Sequence, residues 1–113
     1  MFQQPLFSAP DFPANLAAVW RRHWACLAHP QGPAVVLGEW GGRAQAGSPD
    51  RVWFEALAGF LVDCGLDVGF FWCLNPNSGD TGGLLQGDWT SPEAWKLRVL
   101  QRVTPNPTRF CAS

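Results

Sequence analysis

The sequence contains no tyrosine, a single methionine and few charged residues, which make up 15% of its 113 positions. Its eight Lys and Arg residues are scattered and the net charge is −1, so no basic surface for nucleic acid or an anionic membrane is predicted. No run approaches the roughly 18 apolar residues of a membrane span, and residues 1–5 lack the charged and apolar regions of a signal peptide. The composition is that of a globular protein, because 47% of the residues are hydrophobic and can form a core.

The four cysteines are widely spaced and form no C-x-x-C pair. An even count is compatible with two disulfides in a secreted protein, but Cys26 and Cys64 fall in apolar helical patterns and Cys73 on a predicted strand. Buried free thiols are therefore favoured, with Cys111, near the end of a polar tail, expected to react most readily.

Two weak metal-binding patterns do not predict a metal site. His23 and Cys26 lie three residues apart with His29 nearby, but no fourth ligand or recurring motif accompanies them. His23 falls on or beside an apolar stripe, where a structural role is the expectation. The loop around Asp80 has too few acidic residues for calcium.

The aromatic residues are seven Trp and eight Phe, with no Tyr. Tryptophan at this density is compatible with sugar binding, because a flat apolar ring stacks on the C–H face of a pyranose. Most of these rings are nevertheless expected in the core, where large aromatics dominate the buried area.

Hydrophobic periodicity and the positions of Pro and Gly predict five alternating elements. They are a helix at residues 13–28, a strand at 34–39, a helix at 48–63, a strand at 68–74, and a helix from Ser91-Pro92-Glu93 with Trp95, Val99 and Val103 inward. This order indicates a parallel α/β architecture.

Two parallel strands do not close a sheet, and each would expose an edge and an apolar face. A (β/α)8 barrel takes about 200–250 residues, so a chain of this length is too short for one. The sequence therefore predicts part of a larger α/β fold.

Each predicted strand ends at one functional side chain and then breaks into glycine and short polar residues. The first ends in Gly38-Glu39-Trp40-Gly41, and the second leads from Trp72 through Asn75-Pro76-Asn77-Ser78-Gly79-Asp80-Thr81-Gly82-Gly83. The carboxyl ends of barrel strands, where active sites are built, have this character.

Both segments resemble the last two strands of glycoside hydrolase family 5, the cellulase family, with its "GEFG" and "W-x-x-NPNSGDTGG" motifs. The resemblance extends from about Gln4 to Val103. It implies the C-terminal third of a TIM (β/α)8 barrel, in the order helix, strand 7, helix, strand 8, helix. Residues 1–113 would form this one partial domain, with no second domain.

The resemblance also implies site roles. Family 5 enzymes are retaining glycosidases with two glutamates about 5–5.5 Å apart, and Glu39 corresponds to the nucleophile. Trp72 corresponds to the platform beneath the sugar, while Asn75 and Asp80 would hydrogen-bond sugar hydroxyls or hold their loop. Trp40, which replaces the family's usual Phe, joins the substrate-binding residues.

The family's acid/base glutamate belongs to strand four, which this chain lacks, and Glu55 and Glu93 are on predicted helices outside the barrel. The implied activity is cofactor-free hydrolysis of a β-1,4-linked polysaccharide such as cellulose-type β-glucan by an extracellular parent protein. The isolated chain is expected to be inactive. Its partners would be polysaccharide or oligosaccharide, with no nucleic acid or membrane, and the polysaccharide and the oligomeric state stay open.

Two other functions stay open. The chain could be a non-catalytic carbohydrate-binding remnant of such a barrel, or a small interaction domain without sugar chemistry.

Overall fold

The computed structural model describes residues 5–106, which form a two-stranded parallel sheet packed against helices. The elements are α1 (Pro5–Ser8), α2 (Leu16–His23), a 3-10 helix (Ala25–Leu27), β1 (Leu37–Trp40), α3 (Pro49–Asp63), β2 (Gly69–Phe71) and α4 (Ala94–Val103).

Helix α3 begins and ends where the sequence predicts. The Ser48 side chain caps it by accepting a hydrogen bond from the Arg51 amide at 3.2 Å, and Pro49 occupies the first turn. At the other end, Gly65 adopts φ +64°, a left-handed conformation that suits glycine and turns the chain towards β2.

Helix α2 is shorter than predicted. Residues before it form successive turns, in which the Phe12 amide donates to Ala9 and the Asn15 amide to Asp11, and the helix begins only at Leu16. The last predicted turn becomes the 3-10 helix, so the apolar stripe does not extend to its end. The expectation that Cys26 is buried is therefore wrong, because its side chain is exposed. His23, predicted on or beside the stripe, is exposed as well.

The two strands pair in parallel, as predicted, but both are shorter than expected. Leu37 pairs with Gly69 and Trp40 with Phe71, with an irregularity between these positions. The Leu37 amide also bonds the Val68 carbonyl at 3.2 Å. The irregularity interrupts the ladder within β1, and after Trp40 and Phe71 both strands give way to loops.

The core lies between one face of the sheet and helices α3 and α4, and Phe54 is at its centre. This side chain is fully buried. Its ring centre lies 5.3 Å from that of Trp40, 6.0 Å from Phe71 and 5.4 Å from Trp95. One aromatic residue of α3 thus joins both strands to α4.

The opposite face of the sheet carries large apolar side chains in solvent, among them Val36, Phe70, Trp72 and Leu74. The molecule is a slab of 47 × 42 × 19 Å with a radius of gyration of 15.3 Å, above the roughly 13 Å typical of a closed domain of this length. The prediction that the strands expose an apolar face is confirmed.

Three further predictions concern thiols, metals and membranes. Cys26, Cys64 and Cys73 are free, with Cys64 and Cys73 half-buried, while Cys111 lies outside the described residues. Within residues 5–106 no three His, Cys, Asp or Glu side chains gather as metal ligands. In the same range no helix has the length and apolar character to cross a membrane.

Candidate active site

Glu39 and Trp72 stand at the same edge of the sheet. Because the strands are parallel their carboxyl ends meet, and the Trp72 amide donates to the Trp40 carbonyl at 2.9 Å. Both Glu39 and Trp72 line one cleft of about 680 Å³. The prediction that strand polarity brings these two side chains to a common cleft is confirmed.

Five tryptophans and several short polar groups contribute to this cleft. Its lining comprises Trp20, Trp24, Leu27, Val35, Val36, Leu37, Glu39, Trp40, Gly41, Asp50, Trp53, Leu57, Trp72, Asp80 and Thr81. A wall of aromatic rings with a few carboxylates and a hydroxyl suits a sugar, which presents both C–H faces and hydroxyl groups.

The loop after β1 is fixed by close backbone approaches. A side chain on Gly41 would collide with the carbonyl oxygen of Trp72, and a Cβ on Gly42 would lie 3.0 Å from the Asp50 carboxylate. That carboxylate accepts a hydrogen bond from the Ala44 amide at 2.6 Å. The glycines after Glu39 therefore let the β1 loop approach both β2 and the start of α3.

The loop after β2 brings Asp80 and Thr81 to the cleft. The Ser78 hydroxyl donates to the Asp80 carboxylate at 2.6 Å and lies 2.7 Å from the Thr81 hydroxyl. The hydrogen bond from Ser78, assisted by backbone amides and by Arg43, holds the pKa of Asp80 below its usual value. Asp80 is therefore an ionised acceptor for hydroxyl groups at neutral pH.

Of the predicted substrate-binding residues, Trp72, Asp80 and Trp40 line the cleft and Asn75 does not. Trp72 is 48% exposed, as a stacking platform would be. Trp40 is buried and stacks on Phe54, so most of its surface belongs to the core. The backbone carbonyl of Asn75 accepts a bond from the Cys73 thiol at 3.4 Å, which supports a loop-holding role for this residue.

The sequence did not predict the burial of Lys96, which is only 2% exposed. Its ammonium donates to the carbonyls of Thr81 at 3.1 Å and Gly83 at 3.0 Å. Desolvation lowers the pKa of Lys96. The helical spacing could have indicated this burial, because Lys96 lies three residues before Val99 and seven before Val103 on the inward stripe of α4.

No protein-family model matches the chain. Curated relatives at 38–41% identity are endoglucanases. One is the major extracellular endoglucanase of Xanthomonas campestris pv. campestris, 41% identical over 104 residues that make up 91% of this chain and 21% of that protein. The chain is homologous to endoglucanases. It spans only 14–25% of the length of the curated relatives it matches.

Solved structures agree with the sequence relatives. The catalytic domain of the Xanthomonas enzyme superposes with a TM-score of 0.83 at 40% identity, covering 91% of this chain and 30% of that domain. An endocellulase from Pyrococcus horikoshii, solved with cellotetraose, gives 0.81 at 38% identity and covers 90% of this chain and 28% of that one. The chain therefore matches a part of an endoglucanase catalytic domain.

Proposed function

We propose that residues 1–113 form the C-terminal third of a family 5 glycoside hydrolase barrel, with β1 and β2 as its seventh and eighth strands. The observation that carries this proposal is that Glu39 and Trp72, from adjacent parallel strands, line one cleft at the carboxyl edge of the sheet. Active sites of barrel enzymes lie at this edge. Homology to endoglucanase catalytic domains supports the same proposal.

The proposed reaction is hydrolysis of β-1,4-linked glucan with retention of configuration. The Glu39 carboxylate attacks the anomeric carbon, and the glycosidic C–O bond breaks as an acid glutamate protonates the leaving oxygen. That glutamate, now a base, removes a proton from a water molecule. The water oxygen then bonds the anomeric carbon, and Glu39 leaves as a carboxylate.

The chain's other cleft residues would bind and orient the sugar. Trp72 presents a ring face on which a pyranose stacks, and the ionised Asp80 accepts hydrogen bonds from hydroxyls. The acid/base glutamate would come from a strand outside this chain. The isolated chain is therefore expected to hydrolyse no glucan, because general-acid assistance worth about 10²–10⁴-fold is lost.

The parent protein would act on cellulose-type β-glucan outside the cell. Two relatives support this proposal by their names: one is an extracellular endoglucanase, and the other is an endocellulase bound to cellotetraose.

A chimera tests the proposal. Residues 5–106 replace the matching 30% of the Xanthomonas catalytic domain, and hydrolysis of soluble β-glucan is followed by reducing-sugar release. We expect turnover from the chimera, and with Glu39→Gln we expect retained cellotetraose binding without turnover, since an amide forms no glycosyl-enzyme. Near-normal rates with Glu39→Gln would show that the nucleophile lies elsewhere.

One observation favours the second candidate, a non-catalytic sugar-binding remnant. Trp72 and Asp80, the proposed sugar-binding groups, line one cleft and both belong to this chain, so the chain alone brings them together. A chimera that binds cellotetraose but hydrolyses nothing, even with the host acid glutamate intact, would support the remnant.

A further inference from the structure

Two cations hold residues 79–83, the segment that brings Asp80 and Thr81 to the cleft. From the buried side, the Lys96 ammonium donates to the carbonyls of Thr81 and Gly83 at 3.1 and 3.0 Å and approaches that of Gly82 at 3.5 Å. From the exposed side, the Arg43 guanidinium donates to the Gly79 carbonyl. The segment is thus bound at both ends through its backbone, which leaves the Asp80 and Thr81 side chains available to the cleft.

Each cation also connects the segment to a strand that contains or directly precedes a proposed site residue, Glu39 in β1 and Trp72 after β2. Arg43 lies four residues after Glu39, in the loop that follows β1. The Lys96 ammonium lies 5.7 Å from the centre of the Phe71 ring, and Phe71 directly precedes Trp72. A shift of either cation would therefore alter the spacing between the segment and Glu39 or Trp72.

The backbone of the segment is shaped for these contacts. Gly82 adopts φ +56°, in the left-handed region where side chains are disfavoured. A Cβ at this position would lie 3.8 Å from both Lys96 Nζ and Arg43 Cγ, so the two cations flank the same residue. The turned backbone directs three successive carbonyls towards one ammonium, which has three protons to donate.

We propose that Lys96 and Arg43 are positioning residues that fix Asp80 and Thr81 opposite Glu39 and Trp72, and so set the affinity for the sugar. This inference rests on the proposed function. Neither cation need touch the sugar, because both act on backbone carbonyls of the segment.

The test uses the chimera with Lys96→Met and Arg43→Met, which remove the donors and keep long side chains. Val99→Ala is the control for lost stability, since Val99 is buried on the same helix and makes no hydrogen bond to the segment. Arg98→Met is the control for a lost exposed cation on α4. The readouts are kcat/KM on soluble β-glucan, the melting temperature, and cellotetraose affinity by calorimetry in a Glu39→Gln background.

We expect Lys96→Met to lower kcat/KM on the order of 100-fold, the cost of displacing site groups by about 1 Å, and to weaken cellotetraose binding. Arg43→Met should lower both with an unchanged melting temperature, because Arg43 is exposed. Val99→Ala should lower the melting temperature alone, and Arg98→Met should change nothing.

The inference is overturned if Lys96→Met behaves like Val99→Ala, with a lower melting temperature and unchanged kcat/KM. If Lys96→Met does not fold, Arg43→Met decides, and an unchanged kcat/KM in that variant overturns the inference. A chimera that neither binds nor hydrolyses would refute the proposed function and this inference together. An active chimera that is insensitive to both substitutions would refute this inference alone.

Discussion

Phe70 offers a test of whether the exposed face of the sheet is an interior surface of a larger domain. Its side chain is 65% exposed, on the face of β2 opposite to the core. Full burial of a phenylalanine contributes about 1.5–3 kcal/mol, so covering the exposed two-thirds would contribute about 1–2 kcal/mol. A serine in its place would add an unpaired buried hydroxyl, at about 1–3 kcal/mol.

We therefore expect Phe70→Ser to lower the free energy of unfolding of the chimera by about 2–5 kcal/mol, measured by urea denaturation with tryptophan fluorescence. In the isolated chain, where this face is exposed, the same substitution should be favourable. It removes part of an exposed apolar patch and should raise the monomeric fraction in gel filtration.

Val62 provides the matched control, since it is 47% exposed and lies on α3 rather than on a strand of the sheet. Val62→Ser should change chimera stability by no more than about 0.5 kcal/mol, as is usual for surface positions. If Phe70→Ser costs no more than Val62→Ser in the chimera, this face of the sheet is not covered in the assembled domain and the barrel proposal fails.

Three further predictions concern the core, a turn and the cleft. Phe54→Ala should lower the unfolding free energy of the chimera by about 3–5 kcal/mol in urea denaturation, and a loss below about 1 kcal/mol would remove Phe54 from the centre of the core. Hydrogen bonds from the Ser91 hydroxyl and backbone amides lower the pKa of Asp88 from 3.8 to about 2. The ionised Asp88 carboxylate therefore stabilises the fold above pH 3.8, and this contribution is lost as the pH falls towards 2. An NMR titration of the Asp88 carboxyl should show the lowered pKa, and a pKa near 3.8 would contradict the prediction. In the chimera, Trp72→Ala should weaken transition-state binding by a few kcal/mol, measured from kcat/KM. Trp89 is exposed and does not line the cleft, so Trp89→Ala should leave kcat/KM unchanged. Equal effects of the two substitutions would indicate that Trp72 serves packing and not sugar binding.

The start of α3 and the pairing of β1 with β2 could be predicted, because both depend on residues close together in the sequence. The cap Ser48 and the first-turn Pro49 specify the start of α3 within a few residues, whatever surrounds them. The parallel pairing of β1 and β2 followed from the intervening helix, because a strand–helix–strand connection returns the chain in the same direction.

The position of Lys96 could not be predicted because it depends on distant backbone. Its place on the α4 stripe indicates burial, but an unpaired buried ammonium is prohibitively costly. The carbonyls that compensate for this cost belong to Thr81, Gly82 and Gly83, 13 to 15 residues earlier in an irregular loop. Hydrophobic periodicity in the sequence does not predict the direction of backbone carbonyls in an irregular loop.

The inward orientation of Trp40 is predictable from its position next to Glu39 in β1. Neighbouring residues of a strand point to opposite faces, so an accessible Glu39 predicts an inward Trp40. The structure shows this arrangement, with Trp40 stacked on Phe54 and Glu39 exposed on the cleft. Its role as a substrate-binding residue stays a prediction.

Trapping the covalent intermediate tests most directly whether Glu39 is the nucleophile. The chimera is incubated with an activated 2-deoxy-2-fluoro cellobioside, which slows hydrolysis of the glycosyl-enzyme, and its peptides are analysed by mass spectrometry. We expect one added disaccharide on the peptide that contains Glu39, and none in the Glu39→Gln variant. A label on another carboxylate, or turnover of soluble β-glucan without any trapped label, would contradict it.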